Sequence, residues 1–205
     1  MANSIDKAED GPYRSDNRRQ ELMASAAHLF NQRGYDATSM RDIAKEAGML
    51  AGSMYYHFPS KDDLIIATYE EGTRLITEAV VEAIRDIQDP WDRLEKAAIA
   101  HMNTLFGGNN FSILLCADIS RTAPTLRIRL IESRDSYDSL FMDLIESLPL
   151  PADVDPTLLR LSLLGSLNWS SSWYRPGGHS PTQIAALFVR LIREGLSTTD
   201  FHSTQ

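Results

Sequence analysis

Residues 39–58 read SMRDIAKEAGMLAGSMYYHF, and the fold turns on how this run is read. Ser39 followed three places later by Asp42 is a helix-start pattern in which each side chain meets the other residue's backbone N–H. Met40, Ile43, Ala44 and Ala47 then share one face at helical spacing, and Gly48 closes the helix. A second short helix follows almost at once. With Met54 turned to the core, Phe58 and Leu50 fall within about 40° of it on a helical wheel. Gly52 and Tyr56 centre the opposite face, flanked by Ser53 and Tyr55. Two short helices joined by so tight a turn form a helix-turn-helix, whose second helix can enter the major groove of DNA. A mid-helix glycine costs about 1 kcal/mol relative to alanine, so Gly52 requires a reason. Either it lets the helix backbone approach a surface, with the hydroxyls of Ser53, Tyr55 and Tyr56 reaching bases or phosphates, or it makes room for a neighbouring helix.

The surrounding sequence is helical throughout. Upstream, Leu22, Ala26, Leu29 and Phe30 make one apolar stripe that ends at Gly34. Downstream, Ser60 and Asp63 repeat the capping pattern and start a long helix that ends near residues 88–91. Asp89 and Pro90 begin the next, with Leu94, Ala97, Ala98, His101, Met102 and Leu105 as its buried stripe. Residues 111–120, FSILLCADIS, suit a strand or a buried helix by periodicity, and their helical neighbours favour the helix. Long helices are expected near 124–147 and 156–174. A last one is capped by Ser180, Pro181 and Gln183 and terminated by Gly195. The reading is all-α, about nine helices, in three parts: an N-terminal arm over 1–14 expected to be disordered, a DNA-binding domain over 15–61, and a ligand-binding and dimerisation domain over 62–205.

Charge and composition bound the function. The net charge is −8, yet residues 13–61 carry seven Lys/Arg against five Asp/Glu. A slightly basic segment on an acidic body suggests a DNA-touching module joined to a domain with another task, although charge alone fits chance equally well. The single cysteine, Cys116, forms no internal disulfide, which fits a reducing cytoplasm. No run approaches the length of a membrane span. The five histidines show no metal-ligand spacing, and no nucleophile motif or glycine-rich phosphate loop is present, so neither metal, cofactor nor catalytic residues are expected.

Residues 35–64, YDATSMRDIAKEAGMLAGSMYYHFPSKDDL, resemble the DNA-binding domain of the TetR family of dimeric repressors. The threonine–serine pair at 38–39, the IA and AG of 43–48, Gly52, the Y-x-H-F of 55–58 and the K-x-x-L of 61–64 stand at the family's spacing. The resemblance implies DNA contact by Thr38, Ser39, Arg41, Leu50, Ala51, Gly52, Ser53, Tyr55, Tyr56, His57 and Lys61. Taken singly, Lys61 suits a phosphate at a helix start or is a solvated lysine. Arg41 reaches a phosphate or pairs with Asp42 or Glu46, and His57 donates to a phosphate or packs. Position 50 departs from the family's small capping hydroxyl. Leu50 cannot cap, and it leaves an apolar contact for a thymine methyl.

The run from 47 to 58 and residues 167–196 also resemble a branch of the family that responds to acyl-coenzyme A thioesters, including a repressor of cholesterol-ring catabolism. That implies a small hydrophobic effector, a homodimer formed by the last two helices, and a palindromic double-stranded operator. Met102, Leu105, Phe106, Phe111, Leu115 and Trp169 either line an effector chamber or are plain core. Trp173 and Arg175 suit adenine and phosphate, or else an interface aromatic beside a solvated arginine. Arg121, with Arg127 and Arg129, is a phosphate-reading cluster or a charge-paired face. Two rival functions stand beside this one: an enzyme acting on acyl thioesters, and a ligand-independent architectural DNA-binding protein.

Overall fold

The computed structural model describes residues 12–108, 110–114 and 123–198. Among these residues there are nine helices and no strand: α1 (Pro12–Arg33), α2 (Met40–Glu46), α3 (Ala51–His57), α4 (Lys61–Ile84), α5 (Pro90–Phe106), α6 (Asn110–Leu114), α7 (Pro124–Glu146), α8 (Pro156–Trp173) and α9 (Pro181–Thr198). Two compact units divide inside α4, one ending at Thr68 and the other beginning at Tyr69. The expected arm over 1–14 lies mostly outside the described residues, as does Cys116; from Pro12 the backbone is already helical.

In the first unit, Leu22, Met23, Ala26, Ala27, Leu29 and Phe30 of α1 are buried with Ile43 and Ala44 of α2 and Met54 and Phe58 around α3. The Ser39–Asp42 capping box forms in full: the Asp42 N–H donates to Ser39 Oγ at 3.2 Å and the Ser39 N–H to Asp42 Oδ2 at 3.1 Å. Gly48 ends α2 at φ +63°. Its N–H donates to Lys45 O at 3.2 Å and the next, Met49 N–H, to Ala44 O at 2.8 Å. This paired closure requires the left-handed backbone that glycine adopts without strain.

The second unit is organised around α5. The six residues expected to be buried on it, Leu94, Ala97, Ala98, His101, Met102 and Leu105, are its buried residues. They pack with Ile76, Val80 and Ile84 of α4, Tyr137, Phe141, Leu144 and Ile145 of α7, Leu163, Leu164 and Leu167 of α8, and Ile184, Ala185 and Val189 of α9. Asp89 caps α5, and Ser180 with Gln183 forms the expected box at α9. Gly195 does not terminate α9, which continues to Thr198. Gly195 is absent from the positive-φ glycines, and without that turn the helical hydrogen bonding runs on. The ambiguous run after residue 110 is helical over Asn110–Leu114; its remainder falls outside the described residues.

A hydrogen-bonded polar group, His101, lies within this core. His101 is almost wholly buried, with Nδ1 2.6 Å from the Tyr137 hydroxyl and Nε2 3.1 Å from Asn168 Oδ1. An amide oxygen only accepts, so Nε2–H donates to Asn168 and Nδ1 accepts from Tyr137 O–H. Both ring nitrogens are satisfied by the neutral imidazole. Burial pushes its pKa down to about 4, against a smaller opposing effect of the Asn168 bond. Between that value and the ordinary 6.5 the unfolded chain binds the proton and the folded one does not. His101 therefore makes stability fall as pH drops from about 6.5 towards 4, by up to ~1.4 kcal/mol per pH unit. Urea unfolding across that window should show a shallower pH dependence for His101→Gln than for the natural chain.

Candidate nucleic-acid interface

The helix-turn-helix presents a face that its own unit leaves open. Met54 is fully buried and Phe58 nearly so, which anchors α3 from its inner side. Outward stand Tyr55 (53% exposed) and Tyr56 (85% exposed), with Ala51, Gly52 and Ser53 exposed before them. The Tyr56 and His57 rings meet edge to face at 5.4 Å. A Cβ added at Gly52 would meet no atom of the chain within 4 Å. Gly52 thus makes no room for a neighbouring helix in this chain, and the open side of α3 is where something else can come close.

Leu50 lies elsewhere than the wheel suggests. It is 80% exposed, because it stands before the helix as its N-cap with extended backbone (φ −73°, ψ 136°) and does not follow the helical rotation. As expected from its chemistry, its side chain makes no capping hydrogen bond. Between α2 and α3 lies a hollow of about 570 Å³ whose walls include Arg41, Lys45, Met49, Leu50 and Ala51. Arg41 and Lys45 are both exposed. Sequence reading passed over Lys45; its place four residues after Arg41, on the same helical face, was the available signal. Nearby, the Ser39 hydroxyl and N–H hold the Asp42 carboxyl below its usual range.

Two residues expected at this interface serve the frame behind it. Thr38 is 1% exposed and its hydroxyl donates to Gly34 O at 2.8 Å, so that hydroxyl is engaged within its own unit. The Lys61 ammonium donates to Tyr35 O at 2.8 Å and Thr38 O at 3.0 Å and lies 4.0 Å from the centre of the Tyr35 ring. It is a partly buried tie and not a solvated lysine. The Tyr35 hydroxyl donates to Asp62 on the next residue of α4, and burial followed by this carboxylate raises its pKa. On the far side, Gln32 Nε2 donates to His28 Nε2 at 2.8 Å, which leaves His28 Nδ1–H to donate to Glu46 Oε1 at 3.1 Å.

The residues expected to line an effector chamber are placed differently from one another. Met102 and Leu105 are fully buried in the core of the second unit, with Phe106 packed against the same cluster. Phe106 is partly buried, its ring 4.4 Å from that of Tyr174, and Phe111 is half-buried. Trp169 (70% exposed) and Trp173 (45% exposed) stand on the outer side of α8 with Leu158 and Leu161. Arg175 is exposed and donates to Tyr174 O at 2.8 Å. Leu115 and Arg121 lie outside the described residues. A residue that sequence reading missed is Ser112 on α6, fully buried with no hydrogen-bond partner for its hydroxyl among the described residues. Nothing in the sequence pattern marks a serine as orphaned.

Comparison with known proteins agrees with this geometry. The model of bacterial regulatory proteins of the tetR family matches residues 22–68, and that of the tetracyclin repressor-like C-terminal domain matches residues 88–196. The chain belongs to the TetR family. This TetR-family chain is accordingly a transcriptional regulator with a helix-turn-helix and a C-terminal ligand domain. It is 30% identical over 190 residues to the HTH-type transcriptional repressor KstR2 of Mycobacterium tuberculosis, covering 88% of this chain and 93% of the relative. The KstR2 repressor of Rhodococcus jostii is 27% identical over 191 residues, 88% of this chain and 92% of the relative. Among solved structures, AibR in complex with isovaleryl coenzyme A and operator DNA superposes with a TM-score of 0.75 at 26% identity, over 85% of this chain and 97% of that one. The ketosteroid transcriptional regulator KstR2 of Mycobacterium tuberculosis gives 0.71 at 25% identity, over 87% and 94%. No helix among the described residues is long and apolar enough to cross a membrane, and no cluster of His, Cys, Asp or Glu there could hold a metal ion.

The tie at Lys61 is testable. Lys61→Met keeps the aliphatic length and removes the two charge-assisted bonds, a loss of about 1–2 kcal/mol for a partly buried group. Amide hydrogen exchange in α2 and the first turn of α4 should speed up about tenfold or more, while residues of α8 and α9 keep their protection.

Proposed function

We propose that this TetR-family regulator is an effector-released repressor: a cytoplasmic homodimer that binds a palindromic operator through α3 of each copy. Residues 15–61 read the DNA, and residues 62–205 hold the effector and the partner copy. The observation that carries this is the outward face of α3, with Gly52 open to close approach and Tyr55 and Tyr56 projecting beside it. Ser39, Arg41, Leu50, Ala51, Ser53, His57 and the added Lys45 complete the contact surface. A two-fold axis would set two such helices about one DNA turn apart, hence the palindrome.

The second copy docks on α8 and α9. Leu158, Leu161, Trp169 and Trp173 of α8 and Leu187 and Leu191 of α9 are exposed, an apolar surface that a regulator of this family covers with its partner. Trp169 and Trp173 therefore belong to the dimer contact before they belong to the effector. The effector is a hydrophobic acyl-coenzyme A thioester. Two observations support it: AibR, a relative in fold and sequence, is solved with isovaleryl coenzyme A, and the buried Ser112 hydroxyl has a hydrogen bond to give to a polar group of a ligand. Release then follows by linkage, the effector binding better to a conformation whose α3 helices are wrongly spaced for the operator. Turnover of the thioester forms no part of this activity.

Replacing Gly52 with glutamate places a bulky anion where the DNA backbone or base edges approach. Operator affinity should fall by roughly a hundredfold or more, with the dimer mass in light scattering unchanged; an unaltered gel shift would remove α3 from the interface. For the effector, a series of acyl-coenzyme A thioesters should include one that raises the melting temperature and releases the operator at the same concentrations, and that is recovered chemically intact. A thioester consumed during the assay would instead favour an enzyme.

A further inference from the structure

Leu50 has no task inside its own unit. It is the most exposed leucine of the chain's described residues at 80%, it caps nothing, and it stands at the start of α3, the end of a recognition helix that meets base edges. The exposed Arg41 and Lys45 share its hollow with Met49 and with Asp42, whose carboxyl accepts from Ser39, and Ala51, Gly52 and Ser53 follow it without bulk. The two cations, both on α2, suit the phosphates along a groove's wall. The leucine beside them has neither donor nor acceptor and cannot read the hydrogen-bond pattern of any base.

We propose that Leu50 is a specificity-determining residue of this regulator, reading the 5-methyl group of one thymine in each operator half-site. In the major groove the thymine methyl is the one apolar feature a base edge displays. Burying Leu50 against it removes both from water, while cytosine at that place would set an amino group against the leucine and leave its hydrogen bond unmade. The open Gly52, two residues on in the first turn of α3, allows the helix start to come near enough for side chain and methyl to touch. This rests on the reading of α3 as the operator-binding helix.

The test separates the two. A duplex is first selected from a random library with the full-length protein, and each thymine of the selected duplex is then replaced singly by deoxyuridine, which pairs identically and lacks only the methyl. One thymine per half-site should weaken binding about fourfold when replaced, and roughly fifteenfold when both half-sites carry the change. With Leu50→Ala, the thymine and deoxyuridine duplexes should bind equally. Insensitivity to deoxyuridine at every position overturns the role of Leu50 and leaves operator binding intact. So does a deoxyuridine penalty that persists undiminished in Leu50→Ala, which assigns the methyl to another side chain. Failure to select any duplex overturns the operator reading and this inference with it.

Discussion

The DNA-facing half of this molecule depends on where the Lys61 ammonium goes. Helix α3 has seven residues and no side-chain cap. A helix so short is not stable alone in water, and its position is set by what holds it. Burial of Met54 and Phe58 supplies one part. The other is the frame: Lys61, on α4, donates to the carbonyls of Tyr35 and Thr38, and the Tyr35 hydroxyl donates to Asp62. The turn between α1 and α2 is thereby fastened to the start of α4, and α2 and α3 lie between those two points in the chain. A surface that must match a groove needs such backing, because a contact residue displaced by an ångström loses its partner. In this chain Lys61 thus fastens the reading head to the start of α4.

The second unit solves a different problem. It buries a polar triad, His101, Tyr137 and Asn168, inside an otherwise apolar core. Each member is hydrogen-bonded, so the network is not a liability, and it joins α5, α7 and α8 in one register that purely apolar contacts would not specify. The same unit leaves leucines and tryptophans of α8 and α9 in the open. Polar order inside and apolar surface outside is the arrangement of a subunit whose folding is completed by association. Within it, the buried Ser112 hydroxyl stays without a hydrogen-bond partner among the described residues.

Much of the architecture was legible locally. The boxes at Ser39 and Ser180, the cap at Asp89, the buried stripe of α5 and the glycine closures at Gly34 and Gly48 all stand where the sequence places them. The misplacements share a cause. A helical wheel misplaces Leu50, which stands one residue outside the helix, and a glycine in sequence marks a stop only where the backbone turns left-handed, which Gly195 does not do. Met102 and Leu105 are as suitable in composition for a chamber as for a core, and only packing tells the two apart.

By itself, then, the sequence determined the helices, their caps, the helix-turn-helix and the family, because those signals act over three or four residues or recur as a joint pattern. The tertiary structure alone decided which polar groups remain available to DNA. Thr38 and Lys61 carry the right chemistry for phosphate, but one is closed inside and the other is claimed by carbonyls 26 and 23 residues away. A hydrogen bond between residues so distant in the chain leaves no mark on local pattern, since it exists only once the helices have packed.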